Sequence, residues 1–120
     1  VKWIALLLPI LLCACSDKTN PPRTIAGADA DAGLEVIQRV GCGACHVIPG
    51  VEWPQGVSGP SLKGFAGSPM IAGRFPNRPA VLIDFMIDAP SMAPDTGMPP
   101  IPLTEEEARD VAAYLYTLHE

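Results

Sequence analysis

The chain has 120 residues, with 13 acidic against 8 basic side chains and a formal net charge of −5. That length leaves room for one small domain, and the acidic balance excludes a nucleic-acid binder, whose phosphate contacts need a basic face. Hydrophobic residues make up 48%, but they are unevenly spread, beginning with a concentration at the N-terminus.

Residues 1–14, VKWIALLLPILLCA, carry one charge, Lys2, ahead of a long apolar run. A positive start, a short apolar core and a small residue before a cysteine predict a secretory signal peptide rather than a membrane-spanning helix. The run is also shorter than the ~20 residues that a bilayer requires. Its end, Leu12-Cys13-Ala14-Cys15, resembles the lipobox of bacterial lipoproteins. Ala14 fits the small residue before the cut, which makes Cys15 the lipid-bearing residue; Cys13 departs mildly from the usual Ala or Ser. Each buried lipid methylene contributes about 0.8 kcal/mol, so several acyl chains hold a protein firmly on a membrane. The alternatives are a cleaved soluble signal peptide and an uncleaved anchor. Residues 15–32 are then the anchored cysteine and a flexible tether, because SDKTNPPRTIAGADADA is small, polar and proline-bearing. Some fourteen residues of such coil reach about 20 Å.

A domain over 33–120 follows. Leu34, Ile37 and Gly41 recur at helical spacing with Val36 and Val40 alongside, which predicts a helix over 31–41 running into the cysteines. Residues 47–76 contain IPG, WPQG, SGPSLKGFAG and GRFP and lack periodicity. A loop this long inside a small domain is usually functional or wrapped around something. A second helix is predicted at about 78–89, with Asn77 as its cap, Pro79 in its first turn, an apolar stripe of Leu82, Phe85, Met86 and Ala89, and Pro90 as its stop. The third helix opens on a capping box of Thr104 and Glu107, with three glutamates where the helix dipole favours negative charge. Val111, Tyr114, Leu115 and Leu118 share one of its faces. No strand pattern competes, so the fold class is all-α. Three short helices and one long loop bury little apolar surface against the chain's ordering entropy. A bulky apolar cofactor at the centre would fill that deficit.

GCGACH, residues 41–46, admits several chemistries. A structural zinc site takes four Cys and His ligands; past the leader the chain offers Cys15, Cys42, Cys45, His46 and His119, with no second cysteine pair. A thioredoxin-like redox pair opens a helix after a strand, whereas Cys42 and Cys45 come at the end of a predicted helix. A plain disulfide is a further alternative. Haem attachment asks for this order of residues. Two thiols add to the two vinyl groups on one side of the porphyrin, and the histidine that follows is carried under the iron as an axial ligand. Gly43 and Ala44 are small enough to let the backbone lie close to the ring edge. Covalent haem is the reading these residues support best. It also closes the thiol count, with Cys13 removed, Cys15 lipidated and Cys42 and Cys45 alkylated.

From Gly33 to Leu118 the chain resembles a class I c-type cytochrome, the small monohaem electron carriers, through GCGACH, SGPSLKGF, TGMPP and EEEARDVAAYLYTL in the family's order. The resemblance implies three main helices and long loops wrapped around one covalent haem c with its iron. In that family a glycine and an aromatic on the first helix cross a tyrosine-bearing last helix. Gly33 and Tyr114 fit, while Ile37 stands where an aromatic is common, a departure expected to loosen the crossing. His46 and Met98 are then the metal ligands, Cys42 and Cys45 the attachment residues, and Pro60 the proline whose carbonyl accepts from the histidine ring, a contact that sets ring orientation and basicity.

Met92, in APSMAPD, is the runner-up to Met98 because it too sits in a proline-rich loop. Met86 reads as core and Met70 as a loop residue. Arg74 and Trp53 are candidates to meet the haem propionates, Tyr114 is a helix-crossing residue, and His119 is solvent-exposed. A pocket is expected between Cys42–His46 and Met98. The implied function is single-electron transfer in a respiratory chain by a membrane-tethered carrier on the periplasmic side of a bacterial membrane, or soluble in the periplasm. Its partners are redox protein donors and acceptors, with no small-molecule substrate transformed. The alternatives are a haem subunit of a larger dehydrogenase or terminal oxidase and a haem-based gas sensor or peroxidase.

Overall fold

The computed structural model describes residues 23–120. The signal segment, Cys15 and the first part of the tether lie outside the described residues. Four helices, α1 (Ala30–Val40), α2 (Pro79–Ile87), α3 (Ala89–Met92) and α4 (Glu105–Leu115), are joined by loops, with 3-10 turns at Cys42–Ala44 and Phe65–Gly67. This is the all-α class expected. No helix among the described residues is long and apolar enough to cross a membrane.

α1 starts at Ala30 because the Asp29 carboxylate accepts from the Asp31 and Ala32 N–H groups, satisfying donors that a helix start leaves without partners. It stops at Gly41, whose φ of 77° lies in the left-handed region that glycine adopts without strain, and whose N–H donates to the Ile37 carbonyl. α4 opens on the capping box of Thr104 and Glu107. These two helices make the most extensive interhelical contact. Their crossing point is Gly33, where a Cβ would strike the Asp110 carbonyl and lie 2.9 Å from the Val111 nitrogen. Only a residue without a side chain lets the two backbones meet there. The loosening expected from Ile37 is not seen: at 1% exposure it is among the largest fully buried side chains, together with Val111. Outside this contact, the Asp29 N–H donates to Asp110 Oδ1 at 2.8 Å, and Arg39 pairs with Glu107.

Residues 23–32, read above as tether, belong instead to the domain. The Arg109 guanidinium donates to the Ala26 carbonyl at 2.6 Å. The Arg23 guanidinium donates to the Ala66 carbonyl and lies 5.5 Å from the Tyr116 ring centroid. The small residues here resemble a linker in composition, but Asp29 is a helix cap.

α2 is apolar nearly all round and packs on α4, burying Leu82, Ile83, Phe85 and Met86. Asn77 does not cap it. Arg78 occupies the cap position without a side-chain bond, and Asn77 turns inward to 3% exposure. Its Nδ2 donates to the Ser68 carbonyl at 2.9 Å and the Phe65 carbonyl at 3.3 Å, while its Oδ1 accepts from the Tyr116 hydroxyl at 3.0 Å. A buried amide is stable only when its polar atoms are partnered, and this one ties the Phe65–Ser68 turn to the end of α4. Burial pushes the Tyr116 hydroxyl up to about 12. Nor does Pro90 stop α2. The helix ends at Asp88, whose carboxylate accepts from the Ser91 N–H, and Pro90 falls in the first turn of α3, where a missing N–H costs nothing. A two-stranded antiparallel ribbon, β1 (Met70–Ile71) and β2 (Phe75–Pro76), was not expected; at two residues per strand it leaves no alternation to read.

Candidate functional site

The left-handed turn at Gly41 carries the chain from α1 directly into Cys42–His46. Hydrogen bonds from Ala44 N to Gly41 O at 2.9 Å, from Cys45 N to Cys42 O at 3.2 Å and from His46 N to Cys42 O at 3.1 Å wind this stretch into one tight turn. Both thiols are free; Cys42 is half-buried and Cys45 exposed. Burial pushes the Cys42 thiol above its ordinary range and nearby Cys45 adds to this, while a backbone hydrogen bond opposes both. Among the described residues no group of three or more His, Cys, Asp or Glu side chains could hold a metal ion.

His46 Nδ1 lies 2.7 Å from the Pro60 carbonyl oxygen. A carbonyl only accepts, so Nδ1 carries the proton and the lone pair of the neutral imidazole is on Nε2. The ring is also confined from the side: a Cβ on Gly59 would lie 2.5 Å from Cε1 and 2.8 Å from Nδ1. The loop that brings Gly59 and Pro60 here runs flat along the cysteine turn. The Gly56 N–H donates to the Gly43 carbonyl and the Gly59 N–H to the Cys45 carbonyl, each at 2.8 Å. A Cβ on Gly43 would stand 2.5 Å from the Pro54 oxygen. Sequence reading did not single out Gly59 or Gly56, although their place just before Pro60 in a glycine-rich loop was the available signal. Tyr114 reaches past the helix crossing, its hydroxyl donating to the Pro49 carbonyl at 2.7 Å, and so links α4 to the segment following His46.

Met98 is partly buried against the core. Its N–H donates to Thr96 Oγ1 at 3.2 Å, in a loop between α3 and α4 that is held by Thr96 N to Ala93 O at 2.9 Å and Ile101 N to Ile87 O at 3.2 Å. Met92 lies in α3 rather than in an irregular loop. Met86 is buried in α2, and Met70 is 39% exposed on β1. Arg74 faces Asp95, its two terminal nitrogens donating to the two carboxylate oxygens at 2.7 and 2.6 Å. Trp53 is 86% exposed, and His119 is exposed. Neither of two concavities among the described residues is the pocket expected between Cys42–His46 and Met98. One of those is lined by α2 and the start of α4, the other by Val47–Glu52 with Gln55 and Lys63. Cys45 and Pro60 are exposed, so their side of the turn opens to solvent.

A small helical shell that presents two free thiols and a fixed imidazole on one turn, beneath a loop of glycines, defines the class of a covalent cofactor carrier. The cytochrome c family model matches residues 30–119, and the chain belongs to the cytochrome c family. A search of curated proteins returned no match. Membership brings covalently bound haem c with its iron, a haem-based electron-carrying role and redox proteins as partners. The residues present fit that group. The thiols are unpaired, Nε2 of His46 is free to bind a metal, and Gly59 leaves the ring the space that a methyl would take.

Proposed function

We propose that this protein is a membrane-tethered carrier of single electrons on the periplasmic side of a bacterial membrane, serving a respiratory chain. Cys42 and Cys45 would hold the haem through their sulfurs, and His46 Nε2 and the Met98 sulfur would bind its iron. The bound haem supplies a reversible one-electron couple; a Met/His pair raises its potential relative to two nitrogen ligands, because a soft thioether favours reduced iron. The chain's own part is to hold geometry. The Pro60 carbonyl fixes the tautomer and plane of His46, Gly59 leaves the ring its space, and the Tyr114–Pro49 bond braces the turn against α4. No substrate is chemically transformed. The lipobox-like Leu12–Cys15 supports lipid on Cys15 as the membrane attachment.

The observation that carries this reading is the 2.7 Å bond from His46 Nδ1 to the Pro60 carbonyl on a turn with two free cysteines. A histidine that ligates a metal through one ring nitrogen almost always donates the other N–H to a carbonyl or carboxylate, which is the arrangement here. The test is Met98→Ala in the haem-loaded protein. The variant is expected to lose the weak far-red band of sulfur-ligated ferric haem, to drop in reduction potential and to bind carbon monoxide readily when reduced. Survival of the band rejects Met98 as ligand, and rapid carbon monoxide binding by the unaltered reduced protein rejects the closed carrier. Cys15→Ser should shift the protein from the membrane fraction to the soluble one.

A further inference from the structure

Met98 sits in a loop with little of its own to hold it. The backbone bond from Thr96 to Ala93 reaches only the residue that ends α3, and the Met98 bond to Thr96 stays within the loop. Ile101 N–H reaches the Ile87 carbonyl on the far side of Met98. Among the described residues, the side-chain hydrogen bonds between residues 94–103 and another part of the fold are the two that Arg74 donates to the Asp95 carboxylate. They join the loop three residues before the methionine.

The other end of that link is firm. Arg74 stands at the tip of the β1–β2 hairpin, where its N–H donates to the Ile71 carbonyl at 3.0 Å and Ala72 and Gly73 take φ values of 50° and 67°. Directly below, Ile71 is 3% exposed, and Asn77 anchors the chain after β2 through both ends of its amide. A guanidinium gripping a carboxylate through two parallel bonds fixes orientation as well as distance, which a single ammonium contact does not.

We propose that Arg74 and Asp95 are positioning residues, a bidentate clamp that fastens the Met98 loop to the β1–β2 hairpin and holds the methionine sulfur ready for the iron. This rests on Met98 being the sixth ligand. Both partners are substantially exposed, 50% for Arg74 and 67% for Asp95, so the effect is modest and salt-sensitive.

The experiment is displacement of the sulfur ligand by imidazole in the haem-loaded ferric protein at low ionic strength, followed by loss of the far-red band. Asp95→Asn and Arg74→Gln should each bind imidazole roughly two- to fivefold more tightly than the unaltered protein. The double variant should go no further than either single one, since both break the same link. Salt at about 1 M should erase the difference. Arg39→Gln, which removes a separate surface ion pair, serves as the control and should leave imidazole affinity unchanged. Single variants that match the unaltered protein, or an Arg39→Gln variant that weakens the ligand equally, overturn the clamp. Met98→Ala separates the two failures. If the band persists in that variant, the ligand assignment falls and the clamp falls with it; if the band is lost while the clamp variants do nothing, only the clamp falls.

Discussion

The crossing of α1 and α4 and the loops around Cys42–His46 are built by opposite means. At the crossing, side chains are interred: Ile37, Ala108, Val111, Ala112 and Leu115 are each at most 4% exposed, and both helices begin on well-formed caps. Around the cysteine turn the contacts are between backbones. Gly56 meets Gly43, Gly59 meets Cys45 and Leu62 meets Val47 through N–H to carbonyl bonds, while Cys45, Trp53, Val57 and Pro60 stay exposed. Burial of apolar surface is the dominant favourable term in folding, so the first region carries the stability of the fold. The second spends its residues on flatness and access. We infer that it is the half a covalently attached haem would complete.

The sharpest way to break this contrast is to cut into the dense half. Ile37→Ala should cost about 2–5 kcal/mol in denaturant unfolding followed by far-ultraviolet circular dichroism, while the remaining folded protein keeps its haem spectrum. A loss under ~1 kcal/mol would mean that the crossing is not the keystone. Gly59→Ala should show the reverse balance. Its methyl meets the imidazole, so about 1–3 kcal/mol of overpacking should come with an altered ligand-field spectrum, which Ile37→Ala lacks; an unchanged spectrum would show that the ring is not confined as described.

Stability against pH probes the node beneath the dense half. Tyr116 is neutral in the fold and its hydroxyl is pushed up to about 12, by burial first, against an opposing charge on Arg23. In the unfolded chain it titrates near the ordinary tyrosine value of about 10. The contribution is therefore complete below about 10 and is lost as pH rises to about 12. Tyr116→Phe should flatten that fall when unfolding midpoints are compared across this range. The smallest effect belongs to the exposed pair at the rim of the crossing. Arg39→Ala should cost no more than about 1 kcal/mol, and less at high salt.

What could be read from the sequence divides along the same line. α1 was legible from its local apolar period and α4 from its period and its capping box, while the Cys42–His46 motif could be singled out because it lies within six residues. Asn77 misled because a cap and an inward amide look alike until Phe65, Ser68 and Tyr116 converge on it from distant parts of the chain. The ribbon was too short to have a period. Residues 23–32 read as linker because their attachment depends on Arg109, more than eighty residues from Ala26. In the site, Gly59 and Gly56 matter through what they would strike, which composition alone cannot reveal, and the partner of Arg74 is set by two loops meeting.

The central claim is that one haem is bonded to this turn. It is tested most directly by maturing the full chain in a host able to attach haem, denaturing it in acid, extracting with organic solvent, and weighing the proteolytic peptide that contains Cys42, Cys45 and His46. The account predicts that the peptide retains one haem and that neither cysteine reacts with a thiol reagent. A peptide of unmodified mass with two reactive thiols, from protein that is folded and cooperative in melting, would contradict it.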